Sequence, residues 1–142
     1  MPTGERNTVT LSQAIVKVNG TPLKVAVMDK MTEFVVDSSL SIPDMFSLTF
    51  SDDDLKIMDS NDFPLGAPVE ISMSDNDDPN NQQTVFKGEI TAVEPDFEDG
   101  TNATITVRGY AKSHRLHRES KTKVWQNVKD SDIAQQIASS AG

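Results

Sequence analysis

Hydrophobic and polar residues alternate with period two through much of the first 110 residues, the pattern of strands that bury one face and solvate the other. Phe46, Leu48 and Phe50 alternate with Ser47, Thr49 and Ser51. Val69, Ile71 and Met73 alternate with Glu70, Ser72 and Ser74, and Ala103, Ile105 and Val107 with Thr104, Thr106 and Arg108. Further strand-like segments cover Ala14–Val18, Leu23–Met28, Phe34–Leu40 and Val85–Val93. About seven strands separated by turn residues predict an antiparallel, meandering sandwich or barrel.

The connections fit this reading. Asn19-Gly20-Thr21-Pro22 offers tolerance of positive φ and a missing N–H, so the first two strands are expected to pair as a hairpin. Pro43 interrupts the run between Phe34 and Phe50, because proline cannot donate to a sheet ladder. Asp75 to Gln83 contains no apolar residue and predicts a long exposed hairpin loop.

Helical spacing is rarer. Asp53–Met58 has room for one or two turns. A C-terminal helix is clearer: Asp130 or Ser131 is placed to cap it, Gly142 follows it, and Ile133, Ala134, Ile137, Ala138 and Ala141 share a face. Nothing follows to cover that stripe, so either the chain is cut short or the helix docks elsewhere.

Composition narrows the function classes. No apolar run nears the length of a membrane span, and the opening Met1-Pro2-Thr3-Gly4-Glu5 lacks the basic, then hydrophobic, order of a signal peptide. The absence of cysteine removes disulfides, thiolate nucleophiles and cysteine-based metal sites. A net charge of −9 disfavours general nucleic-acid binding. The charge is uneven: Arg108 to Lys129 holds seven Lys/Arg and a single acid, Glu119, while the rest carries six Lys/Arg against 21 Asp/Glu.

Candidate chemistry is thin. His114 and His117 lie about one helical turn apart but lack a third ligand at metal-binding spacing. Asp52-Asp53-Asp54 and Asp75-Asn76-Asp77-Asp78 carry calcium-type oxygens, yet the second run has Asn80 and Phe86 where a calcium loop needs Gly and Glu. No Gly-x-Ser-x-Gly elbow and no phosphate-cradling glycine loop occurs. Asn19-Gly20-Thr21 and Asn102-Ala103-Thr104 match the glycosylation tripeptide, and turn chemistry accounts for both. The expectation is a non-enzymatic protein with no cofactor and no metal. Two readings of the basic segment stand side by side: an interface for an acidic partner, built on Arg108, Tyr110, Arg115, Arg118, Lys121, Lys123 and Trp125, or a solvated loop that neutralises its own acidic body.

The run Arg108-Gly109-Tyr110-Ala111-Lys112-Ser113-His114-Arg115-Leu116-His117-Arg118, then Lys121-Thr122-Lys123 and Gln126-Asn127-Val128-Lys129-Asp130-Ser131-Asp132-Ile133-Ala134, resembles the Vgr and phage late-control-D hub proteins of contractile tails. In that family a basic helix follows an R-G-Y/F-D-like step, where this chain has Ala111 and Lys112. Val124-Trp125 stands in place of the family's aromatic pair. The strand phrase at Phe86–Pro95 is similar as well.

The resemblance implies a tail-tube-like β-barrel or split barrel over residues 1–129, with a short helix near 113–118. Residues 130–142 would start a helix leading to a following domain. It implies a hub that joins tail tube to spike and assembles as a homotrimer. Its partners would be tail tube protein and spike or baseplate proteins, in a phage tail, a type VI secretion-like device or another contractile injection system. Sequence recognition of nucleic acid and membrane insertion by this domain are not expected. The site of assembly would be the bacterial cytoplasm, before the protein enters the particle. The alternative is a stand-alone β-barrel binding or carbohydrate-active module.

Overall fold

The computed structural model describes residues 13–74, 78, 80–98 and 102–142. Seven strands form one antiparallel sheet: β1 (Gln13–Val18), β2 (Thr21–Pro22), β3 (Met31–Asp37), β4 (Met45–Ser51), β5 (Pro68–Ser74), β6 (Gln82–Phe97) and β7 (Ala103–Tyr110). Their order is β2-β1-β5-β6-β7-β4-β3, and among the described residues no ladder joins β3 back to β1 or β2. The mainly β, antiparallel expectation holds in its split form rather than as a closed barrel. The meander holds only for β5-β6-β7; the N-terminal hairpins are separated, β1 lying against β5 and β4 against β7.

Alternation selects the core as read except at the end of β5, where a register shift after Ile71 buries Ser72 and Ser74 and leaves Met73 half-buried. Phe46, Leu48 and Phe50 of β4 are buried with Val16, Val18, Val69, Ile71, Phe86, Ile90, Ile105 and Val107. The Phe46 and Phe86 rings meet at 4.9 Å, and Phe50 meets Phe63 at 5.2 Å. Two glycines make room for the first pair. A Cβ on Gly88 would lie 2.5 Å from the Phe86 ring, and one on Gly109 2.4 Å from the Phe46 ring, so both aromatic side chains lie over bare backbone.

Four local expectations are corrected. Leu23–Met28 is not a strand: after the two-residue β2 the chain turns into α1 (Val25–Met28), with Val27 and Met28 N–H groups donating to Lys24 O. An extended chain would put Val25 and Val27 on one face, whereas the turn leaves Val25 75% exposed and buries Val27. Second, β3 starts and stops three residues before the predicted Phe34–Leu40. It ends at Asp37 because the Asp44 carboxylate accepts Ser38 Oγ at 2.9 Å and Ser39 N at 3.2 Å, pulling the chain out of the ladder.

Third, β6 runs well past Val85–Val93 at both ends, since β5 and β7 supply ladder partners even for its polar residues. Val85 is the extra residue of a bulge opposite Ile71 and Ser72 and is 40% exposed. Fourth, the C-terminal helix α3 (Asp130–Ala141) has Lys129 at its N-cap and no side-chain cap, so neither Asp130 nor Ser131 plays that part.

The remaining turn and helix expectations are met. β1 and β2 pair around Asn19 and Gly20, both at positive φ. Asp53–Met58 contains the start of α2 (Lys56–Asp59). The helix expected near 113–118 is a 3₁₀ turn over Lys112–His117. The β5–β6 hairpin forms as predicted, although residues 75–77 and 79 of its loop lie outside the described residues.

Candidate functional site

Glu89 is the charged centre of the fold. Its parity along β6 is opposite to that of Phe86 and Gly88, which points its side chain to the face away from the core. It is nevertheless 4% exposed, because the 3₁₀ turn that follows β7 folds back over it. Pairing of Glu89 with Tyr110 in the β6–β7 ladder fixes where that turn must begin.

Three basic side chains of the turn and the residue after it converge on this carboxylate. Arg115 grips it with two parallel hydrogen bonds, Nε to Oε1 at 3.0 Å and Nη2 to Oε2 at 2.5 Å. His114 Nε2 lies 3.3 Å and Arg118 Nη2 3.6 Å from Oε1. The His114 Nδ1 sits 2.9 Å from Ala111 O, which can only accept, so that nitrogen carries the proton. Nε2 is then free to accept from Arg118 at 3.0 Å. The Tyr110 ring covers His114 at 5.9 Å between centroids.

A buried carboxylate is tolerated when hydrogen-bond donors meet its lone pairs, and a charged guanidinium meets them most strongly. The Arg115 hydrogen bonds, helped by the charges of Arg115 and Arg118, hold Glu89 below the ordinary carboxylate range against the opposing effect of burial. The same contact raises Arg115.

Arg115 has a second role. Its Nη1 donates to Ala141 O at 3.2 Å, so one guanidinium ties β6 to the last turn of α3, where orphan carbonyls favour a cation. Nothing in α3 is fully buried; Ile133 is half-buried and Ile137 is 43% exposed. Between α3, the 3₁₀ turn and the loop that joins them runs an open groove of about 1390 Å³, walled by Arg118, Lys121, Lys123, Trp125, Val128 and Ile137. Lys123 Nζ stands 4.2 Å from the centre of the Trp125 ring, and Lys121 pairs with Glu119 at 3.2 Å.

The seven residues singled out in the sequence therefore separate into three groups. Tyr110, Arg115 and Arg118 gather around Glu89; Lys121, Lys123 and Trp125 line the groove; Arg108 stands apart on β7, 3.4 Å from Glu94. Sequence reasoning missed Glu89 itself. The available signal was an acid between Gly88 and Ile90 in a strand otherwise rich in core residues, followed by a run of Arg and His.

The other candidate chemistry is taken up internally. Asp52, 1% exposed, accepts Ile57 N at 2.9 Å and Met58 N at 2.8 Å. Asp53 accepts Ala103 N at 3.2 Å. Asp54 pairs with Lys30 at 2.7 Å and Lys56 at 3.0 Å, and these hydrogen bonds hold it below the ordinary carboxylate range. His117 is exposed and does not join His114. Among the described residues no three His, Asp or Glu side chains converge as a metal site, and no helix is long and apolar enough to cross a membrane.

Comparison with known proteins bears on this arrangement. The Alg8 N-terminal domain family matches residues 8–142, nearly the whole chain, from β1 through α3. The chain belongs to this family. The family that matches is thus not the Vgr or late-control-D family to which the sequence phrases were likened.

No curated protein sequence matches this Alg8 N-terminal domain. Solved structures do. The 43 kDa tail protein of prophage MuSo2 from Shewanella oneidensis is similar at a TM-score of 0.63 and 16% identity, over 92% of this chain and 38% of that one. A tail protein from Neisseria meningitidis MC58 is similar at a TM-score of 0.62 and 20% identity, over 91% and 34% respectively. The chain spans little more than a third of either. At those identities the shared property is the fold, and that fold is one used by phage tail proteins.

Proposed function

We propose that this Alg8 N-terminal domain is a structural, non-enzymatic hub domain of a contractile phage-tail-like injection apparatus, joining tail tube to spike. The observation that carries the reading is the match of more than nine-tenths of the chain to tail-protein folds. The open sheet adds to it: among the described residues, β3 at one end and β2 with β1 at the other leave ladder groups that a neighbouring subunit can pair. A structural role also fits the use of the buried carboxylates, since Asp52 and Glu89 both spend their oxygens on protein donors rather than on a cleft.

In this reading residues 1–129 form the hub domain and 130–142 begin the connection to a following domain. The protein assembles as a homotrimer in the bacterial cytoplasm and meets tail tube protein and spike or baseplate proteins. Residues Arg108, Tyr110, Lys121, Lys123 and Trp125 present the partner-facing surface, with Arg115 and Arg118 holding its base. Light scattering on the full-length protein that carries this chain tests the reading, with a trimeric mass expected. A monomer that binds a glycan saturably would overturn it in favour of a free-standing binding module.

A further inference from the structure

We propose that copies of this chain contact one another head to tail, the β3–β4 loop of one seating in a hollow on the β1–β5–β6 face of the next. The inference deepens the assembly reading above and rests on it.

The loop is an apolar knob held in one shape. Leu40 is fully exposed and Ile42 is 60% exposed. The base of the loop is pinned by the Asp44 carboxylate, which accepts Ser38 Oγ and Ser39 N, and by Ala111 N donating to Asp44 O at 2.8 Å. A knob ordered in advance loses little entropy on docking. Asp37 and Asp44 flank it, making it an aliphatic tip on an acidic base.

The hollow has the opposite character. Its volume is about 520 Å³, its floor is formed by Gly20, Pro68, Val69 and Gly88, and Lys17, Lys87 and Lys112 stand around it with Glu70. Glu70 lies 3.9 Å from Lys87, leaving the rim basic in balance. Apolarity and charge thus match between two different places on one molecule. Such a match directs a heterologous contact, in which each copy offers its knob once and its hollow once.

Placement supports closure. Register carries Met45 of β4 to Tyr110, Tyr110 to Glu89 and Glu89 to Pro68, so knob and hollow sit on the same rim of the sheet. They are offset sideways by β6, β7 and β4, roughly 15 to 20 Å at the usual strand spacing. A rotation about an axis along the strands brings one to the other with the rims level, as a ring requires.

The chain has no cysteine, so introduced thiols can read the contact directly. Oxidative cross-linking of a mixture of Leu40→Cys and Lys87→Cys chains should give the mixed dimer in large excess over either self-dimer. The pair Leu40→Asp with Ile42→Asp should weaken association about tenfold or more, the worth of one buried aliphatic side chain, while Tm stays unchanged. Failure to form the mixed dimer, or association that survives both aspartates, overturns the contact. The hub reading is decided separately by the mass of the full-length protein.

Discussion

At the scale of residues, Arg115 carries the largest consequence. Replacing Arg115 with Ala leaves Glu89 shielded from water with only His114 and Arg118 at longer range, a change that costs far more than losing an exposed ion pair. Circular dichroism melts should show Tm falling by several degrees in Arg115→Ala, and by less in Glu89→Gln, which removes the buried charge as well as the grip. The pH dependence has a definite sign. Glu89 is depressed in the folded state, so its stabilisation is complete above the ordinary glutamate value of about 4.3 and is lost as pH falls through the folded value. Acid melts should therefore converge: the advantage of the native chain over Glu89→Gln is present at neutral pH, shrinks as the pH falls below the ordinary glutamate range and is gone below the depressed folded value. An advantage that persists at low pH would show that Glu89 is not held by charge.

At the scale of elements, strands and helix differ in how they are held. β4, β6 and β7 share ladders along most of their length and enclose Phe46, Phe50, Phe86, Ile105 and Val107. α3 buries no side chain and is tied to the sheet through the Arg115 contact with Ala141 O. Its amides should exchange with deuterium well ahead of those in β4 and β7, because opening free energy follows burial. Arg115→Ala should speed exchange in the last turn of α3 further and leave the β4–β7 ladder slow. Equal protection in α3 and β7 would mean the helix is held by more than this contact. The same helix shows how far local pattern reaches: spacing of Ile133, Ile137 and Ala141 marks its face, yet only the fold decides that Ile137 and Ala141 line an open groove.

At the scale of the whole molecule, the sheet and the basic segment report separately. Trp125 is the single tryptophan, and it lies beside Lys123 in the groove rather than in the core. Its fluorescence follows the link between the 3₁₀ turn and α3, while far-ultraviolet circular dichroism follows the sheet. In Arg115→Ala the fluorescence transition in urea should precede the dichroism transition; coincident curves would show that groove and sheet unfold as one unit.

Period-two alternation by itself determined the strands with one apolar face, because side chains on a strand take opposite sides whatever lies next to them. It identified β1, β4, β5 and β7 closely, and with them the inward set from Phe46 to Val107 apart from Met73, since Ser72 and Ser74 turn inward at the end of β5. Asn19-Gly20 specified the first hairpin for a similarly local reason, tolerance of positive φ. Strand order, the helical turn at Val25–Met28 and the burial of Glu89 were decided by the tertiary structure alone, since each depends on residues distant in the chain. Nothing local in Gly88-Glu89-Ile90 says that Arg115, 26 residues on, returns to cover the carboxylate. That return needs the β6–β7 hairpin and its register, and pairwise contact across the fold is the physical quantity that a one-dimensional pattern does not contain.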